Sequence, residues 1–360
     1  MKVIAFRVDA SSTIGIGHIK RCLTLADQLN TTIDEVKIIF ICNDLLPKLI
    51  KSEIEYKGCE LKLISSPPTK EEFNPLEDAY ETRQILVEQQ HVDLLIIDHY
   101  QIDSIWEQLF VDIVPQILVI DDLANRMHTC HALLDQNLYD NFEQRYKNLV
   151  PEQCTLFLGP EFLLLRNEFY EHLNQYKQDY HSLTHIALSF GGSDPTGEIT
   201  RILMMIPEFR RYLPHLVFHV VAGPANIEAS RIEQHCNELN DVFFYNDPPI
   251  AELFSQMDLV IGAGGVMMWE RCFIGLPSAV ITVAENQIES VIEAEKNELI
   301  WHLGYTDQIT SGKLIEFLVH VCSNLDELQK KNKSCRMFMQ QTRSSLTHPI
   351  IKWFKQKEAI

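Results

Sequence analysis

The sequence predicts an α/β protein built from two parallel-sheet halves. Three observations carry this expectation. From the first residues to about 160, short apolar runs alternate with stretches of helical period, the pattern of a parallel sheet covered on both faces. Residues 175–182 are polar with no apolar period, and after them the alternation restarts. Each half also opens with a strand, a small-residue loop and a helix. A chain of 360 residues is long enough for two such domains with full cores. The boundary is expected near 178, giving domains 1–177 and 178–345 with a last helix over 346–360.

Taken in order, strands are expected at 3–8, 36–42, 60–64, 92–97, 116–120, 132–135 and 155–158. Helices are expected at 18–29, 44–52, 77–90, 102–112 and 140–148. Pro67, Pro68 and Pro75 mark a loop before the third helix. In the second half, strands are expected at 184–190, 216–222, 242–245, 258–262, 278–283 and 299–302. Its helices are expected at 197–206, 226–239, 249–256, 264–274, 286–297 and 310–324. The tail from 326 reads as helical and charged. Pro349 starts a final helix whose Trp353 and Phe354 suggest that it docks.

Composition excludes several classes. The net charge of −19 repels nucleic acid and anionic lipid, so neither is an expected partner. The nine cysteines are scattered and contain no Cys-x-x-Cys pair, which suits reduced thiols in the cytoplasm. Arg7 and Asp9 interrupt the first apolar stretch, so it is not read as a signal peptide. No apolar run approaches the ~18 residues needed to span a bilayer.

The chain is organised around Asp9 to Arg21. Val3 to Val8 reads as a buried strand, and Ile19, Cys22, Leu23, Ala26 and Leu29 share one helical face. The stretch between them is a strand-to-helix turn. Gly15 and Gly17 let the backbone turn and approach a ligand. His18 falls in the first helical turn, where the helix dipole disfavours an imidazolium. A neutral imidazole there can accept a proton as a general base. Dinucleotide binding is disfavoured, because Lys20 stands where the third small residue of that fingerprint belongs. The plain alternative is a structural turn, against which His18, Arg21 and Asp9 argue together. In parallel sheets ligands bind beyond the carboxyl ends of strands, a rule that picks out Asp9, Asp98, His99, Tyr100, Asp121 and Asp122.

In the second half, Gly191, Gly192 and Asp194 lie in a loop that can cradle an anion; equally, Asp194 can cap the following helix with Pro195 at its first position. Gly264 and Gly265 form another strand-to-helix loop, and Glu270 lies on that helix within reach of ribose hydroxyls. Asn286 and Gln287 enter a helix as caps or as ligand donors. Arg166 either faces a diphosphate or pairs with a carboxylate. The cluster His128, Cys130, His131 lacks zinc spacing, and no third carboxylate is evident beside Asp121 and Asp122, so no metal is expected. No nucleophile elbow and no P-loop motif is present.

These motifs resemble GT-B nucleotide-sugar enzymes. The stretches Phe6 to Leu23, Val119 to Arg126, Leu134 to Asn137, Leu158-Gly159-Pro160 and Ser189 to Pro195 resemble, more closely, the UDP-2,4-diacetamido-2,4,6-trideoxy-β-L-altropyranose hydrolase family of pseudaminic acid biosynthesis. The resemblance runs to about residue 300. It implies two Rossmann-like domains whose parallel sheets face each other across a cleft, with the final helix crossing back to the first. It implies a UDP-sugar and water as substrates, inversion at the anomeric carbon, and no cofactor. His18 takes the family's catalytic position. Gly264, Gly265 and Glu270 fall to UDP, with Asn286 and Gln287 near the diphosphate or sugar. Gly191, Gly192 and Asp194 line the cleft from one side, and Asp9, Gly15, Gly17, Arg21 and Tyr100 from the other. A monomer is expected. A glycosyltransferase on the same scaffold and a non-catalytic nucleotide-sugar sensor are the alternatives.

Overall fold

A computed structural model describes residues 1–11, 15–65, 73–344 and 347–358. Residues 12–14 of the first turn and Pro67 and Pro68 lie outside them. The chain divides into two compact units, and the last residues, 345–360, belong to the first. That unit comprises 1–137, 141–164 and 345–360; the second comprises 138–140 and 165–344. The changeover therefore falls at Leu165 rather than near 178.

The first unit has strands β1 (Lys2–Val8), β2 (Val36–Asn43), β3 (Glu60–Ile64), β4 (Leu94–Asp98), β5 (Ile117–Ile120), β6 (Ala132–Asp135) and β7 (Thr155–Leu158). They form one sheet in the order β3-β2-β1-β4-β5-β6-β7. Every pairing is parallel. Residues 94–98 read Leu-Leu-Ile-Ile-Asp and are all buried, as expected of a central strand covered on both faces. The helices are α1 (Gly17–Thr32), α2 (Lys48–Tyr56), α3 (Pro75–Glu88) and α4 (Ser104–Gln108). Asn74 caps α3 by accepting from the Leu76 and Glu77 amides, with Pro75 at the first helical position.

The helix expected at 140–148 is not formed. Only a 3₁₀ turn at Phe142–Gln144 appears, because Asn141 and Asn148 adopt left-handed backbone that interrupts helical hydrogen bonding. Tyr146 from this segment is buried instead against the strand ends.

The second unit has strands β8 (His185–Ser189), β9 (Val217–Ala222), β10 (Val242–Asn246), β11 (Leu259–Ala263), β12 (Ser278–Thr282) and β13 (Trp301–Tyr305), in the order β10-β9-β8-β11-β12-β13. These too are all parallel. Its helices are α5 (Asn167–Glu171), α6 (Glu198–Phe209), α7 (Ala229–Asn237), α8 (Ile250–Ser255), α9 (Val266–Ile274), α10 (Ile288–Lys296), α11 (Ser311–Ser323), α12 (Leu325–Phe338) and α13 (Gln340–Ser344).

The last helix, α14 (Pro349–Glu358), packs within the first unit. It buries Ile350, Ile351, Trp353 and Phe354, each worth about 1.5–3 kcal/mol on full burial. Trp353 meets Phe157 edge-on, and Lys355 donates to the Thr32 carbonyl at 2.7 Å.

In each sheet the strand order reverses direction once, between β1 and β4 and between β8 and β11. Ligands of open parallel sheets bind at such switch points, beyond the carboxyl ends. In the first unit those ends carry Asp9 and Asp98. In the second they carry the loops at Gly191 and Gly264.

Candidate functional site

The first switch point builds a constellation around Asp98, the last residue of β4. His18 is the second residue of α1, and its Nδ1 lies 2.6 Å from Asp98 Oδ1. Arg21, one turn on, donates from Nε to Asp98 Oδ2 and from Nη2 to Oδ1, both at 2.6 Å. Its Nη1 donates to Asp122 at 3.2 Å. Burial alone would raise the Asp98 carboxyl, but Arg21 and His18 hold it well below the usual carboxylate range. An ionised carboxylate accepts only, so the proton of the His18–Asp98 bond sits on Nδ1. In a neutral imidazole held this way, Nε2 is the acceptor.

Tyr100 meets the His18 ring edge-on, with centroids 4.5 Å apart. Burial, then Asp122, pushes its phenol well above the ordinary value. Gly15 has φ +85°, and its amide donates back to the Ser11 carbonyl at 2.9 Å. Gly17 is different. Its φ is not left-handed, and a Cβ there would meet nothing within 4 Å among the described residues. Neither packing against those residues nor conformation requires glycine at 17.

Asp9 is turned inward. Its carboxylate accepts from Arg7 Nη1 and Nη2 at 2.6 and 2.9 Å, from the Asn43 amide at 2.8 Å and meets His99 Nε2 at 3.1 Å. Arg7 is also bound to Asp78, which accepts from the Trp106 indole at 2.9 Å. This buried network fixes the end of β1 and takes up the carboxylate that the sequence assigned to the ligand.

Beside it, the Tyr146 hydroxyl lies 3.1 Å from Asp121 Oδ2 and 3.0 Å from Asp135 Oδ2. Asp135 is thus the third carboxylate that the sequence did not reveal. Burial pushes its carboxyl up to about 7. Even so, among the described residues no group of His, Cys, Asp and Glu is arranged to hold a metal ion.

In the second unit, Gly191 has φ +85°. Its loop packs backbone to backbone on Gly223, where a Cβ would lie 2.4 Å from the Gly192 Cα. Asp194 uses both carboxylate oxygens on α6, accepting from the Glu198 and Ile199 amides at 3.0 Å each. Pro195 is not the first helical residue, since α6 begins at Glu198 after Gly197 in left-handed backbone. The capping alternative therefore accounts for Asp194. At the other loop, Gln287 packs on Gly264, and its Oε1 accepts from the Val283 amide at 3.3 Å. Asn286 shares the 3₁₀ turn Glu285–Gln287. Glu270 is buried, and both its oxygens accept from Arg166, from Nε and Nη2 at 2.8 Å each. Arg166 Nη1 reaches Glu168 at 2.8 Å.

No protein-family model matches the chain. The chain is 28% identical over 289 residues to UDP-2,4-diacetamido-2,4,6-trideoxy-β-L-altropyranose hydrolase of Campylobacter jejuni, over 80% of this chain and 93% of the relative. In structure it is similar to MurG of Acinetobacter baumannii, with a TM-score of 0.64 and 11% identity over 99% of this chain and 100% of that one. The fold is GT-B. A second GT-B neighbour is UDP-GlcNAc 2-epimerase of Neisseria meningitidis bound to UDP-GlcNAc, with a TM-score of 0.57 and 10% identity over 96% of this chain and 100% of that one. Among the described residues no helix is long and apolar enough to cross a membrane.

Within this GT-B chain, the sequence-derived residues gather at the two switch points. In the first unit His18, Arg21 and Tyr100 surround Asp98, with Gly17 at the same helix start. In the second Gly264, Gly265, Gln287 and Asn286 lie together at the carboxyl ends, and Gly191 and Gly192 at the neighbouring strand. Asp9, Asp194 and Glu270 are instead committed to partners inside the protein. The strand-end rule had marked Asp98, but only the fold joins it to His18, 80 residues away. Nothing in the sequence marked Arg166 as the partner of Glu270.

Proposed function

We propose that this GT-B protein hydrolyses UDP-2,4-diacetamido-2,4,6-trideoxy-β-L-altropyranose to UDP and 2,4-diacetamido-2,4,6-trideoxy-L-altrose, in pseudaminic acid biosynthesis. The observation that carries the reading is the His18–Asp98–Arg21 geometry. With Nδ1–H held by an ionised Asp98, Nε2 takes a proton from water as the water oxygen bonds to the anomeric carbon. The C–O bond to the diphosphate breaks, and its electron pair leaves with UDP. Attack opposite the leaving group inverts the carbon. Asp98 then stabilises the imidazolium, and Arg21 keeps Asp98 ionised and oriented. The likeness to the Campylobacter hydrolase supports the choice of substrate.

In this reading the first unit supplies the base and the second holds the nucleotide. Gly264 and Gly265 precede α9, whose amino end is suited to a phosphate. Gln287 and Asn286 lie by the same loop. Glu270 serves the ribose through oxygen lone pairs that the Arg166 fork leaves free, since each carboxylate oxygen accepts two hydrogen bonds.

The test is UDP release from this substrate with no acceptor present. Wild type should release UDP, and His18→Ala should lose turnover by about 10²–10⁴-fold while keeping UDP binding. Release that starts only when an acceptor is added would make the protein a glycosyltransferase. UDP binding with no turnover in either assay would make it a sensor.

A further inference from the structure

The second unit carries a groove that the proposed reaction does not use. It is a cavity of about 450 Å³ between the segment Gln178–Asp179 and helices α12 and α13. Lys333, Arg336 and Arg343 line it, with Asp179 as the one carboxylate and Gln340 as an amide. This volume falls within the ~300–1,000 Å³ of small-molecule sites.

The charge there runs against the rest of the molecule. The chain has a net charge of −19, so carboxylates are plentiful. Other cations of the same unit find them: Lys177 pairs with Asp258, Arg201 with Glu198, Arg231 with Glu228 and Lys330 with Glu298. Among the described residues, the side chains of Lys333 and Arg336 form no hydrogen bond and no ion pair. Arg343 donates to the Phe273 carbonyl at 2.6 Å and makes no ion pair among those residues. Its guanidinium is held below the ordinary value by burial and then by repulsion from Arg336.

The walls are fixed by contacts. Asn332 is buried and donates to the carbonyls of Lys177 at 3.0 Å and Gly275 at 2.6 Å, tying the segment before β8 and the end of α9 to α12. The Arg336 stem lies against Gly275, where a Cβ would meet its Cγ at 2.7 Å. Gly275, at φ +76°, also ends α9. The groove therefore flanks the carboxyl end of α9, whereas the loop assigned to UDP precedes its amino end, about 15 Å away at 1.5 Å per residue.

We propose that this groove is a second anion site, built for a phosphate-bearing ligand with more than one negative charge. Two guanidinium groups and an ammonium line one groove with a single carboxylate, an excess of positive charge and donors that suits phosphate oxygens. The ligand comes either as a free diphosphate or as a lipid headgroup, and the experiment separates the two.

The full chain is saturated with UDP, and inorganic pyrophosphate is then titrated by calorimetry. In parallel, flotation is measured with phosphatidylcholine vesicles with and without phosphatidylglycerol. Pyrophosphate uptake that weakens about ten-fold in Arg336→Gln and Lys333→Gln, and falls with added salt, is the expected result for a soluble ligand. Flotation on phosphatidylglycerol alone, lost in the same variants, assigns the headgroup. Neither side chain has a protein partner to lose, so the urea midpoint should be unchanged. Absence of both signals, or signals equal in wild type and variants, overturns the proposal. The comparison of variants reads the groove even if the protein fails to bind UDP.

Discussion

Both units set an arginine fork on a buried glutamate or aspartate, and the two forks do opposite things. In the first unit Arg21 grips Asp98, yet Asp98 still accepts from His18 Nδ1, which leaves the far nitrogen of the ring outside the fork. In the second, Arg166 takes both oxygens of Glu270, and its remaining nitrogen is spent on Glu168. A fork that shares its carboxylate orients a third group for chemistry. A fork that takes both oxygens holds a buried charge in place. On the proposed reading, the first unit is the chemical half and the second the holding half.

The sharpest way to break it is Asp98→Asn. An amide can donate to Nδ1, which forces the proton of a neutral imidazole onto Nε2 and removes the acceptor. Turnover should fall by about 10²–10⁴-fold with UDP affinity unchanged. Turnover near wild type would reduce Asp98 to a structural residue and leave the two forks equivalent.

The second fork should answer through stability and nucleotide affinity instead. Arg166→Gln leaves the buried Glu270 charge without its partner. A fully buried pair would cost about 3–5 kcal/mol, and the partial exposure of Arg166 reduces this to about 2 kcal/mol in urea unfolding. Adding Glu270→Gln should recover most of that loss, while UDP binding stays weaker than in wild type. Calorimetry with UDP reads the second effect. Full UDP affinity in the double variant would remove Glu270 from the ribose.

A further contrast lies in how each carboxylate responds to pH. Asp98 is held far below its ordinary value, whereas Asp135 is pushed up to about 7, chiefly by burial. For Asp135 the sign follows from linkage. Between about pH 4 and 7 the folded chain keeps a proton that the unfolded chain has released. Its contribution is therefore present in full below about pH 4 and lost as pH rises through 7, by up to about 4 kcal/mol. Asp135→Asn should flatten the fall in melting temperature from pH 5 to 8. A fall of the same size in the variant would show that Asp135 titrates in its ordinary range.

The sequence revealed the strand ends and less of what gathers at them. Alternating apolar runs predicted every strand of both sheets, because central parallel strands must be apolar on both faces. The Gly-x-Gly-His turn located His18. What stayed hidden were side-chain partners brought from far along the chain: Asp98 for His18, and Arg166 for Glu270. Periodicity reports which face of an element is buried, not which charged group it meets there. It also misread 140–148, where the apolar spacing looked helical and two asparagines in left-handed backbone broke it. Asp9 misled for a related reason. A strand-end carboxylate suits a ligand, but one next to Arg7 on the same strand is already answered.

The smallest expected effect tests the comparison at its glycines. A Cβ at Gly264 would press on the Val291 Cγ2 at 2.7 Å and on Gln287, so the fold itself requires glycine there. A Cβ at Gly17 meets nothing among the described residues, and the backbone is unstrained, at the first position of α1. On folding grounds alone Gly17→Ala should be neutral or stabilising by up to about 1 kcal/mol, since alanine restricts the unfolded chain and favours the helix. Gly264→Ala should destabilise by about 1–3 kcal/mol through overpacking. If the open space at 17 belongs to the substrate, Gly17→Ala will lose UDP release despite its unimpaired melting temperature. An alanine variant as active as wild type would mean that the glycine answers neither the fold nor the ligand. His18 would then reach water without the close backbone approach that the turn was taken to provide.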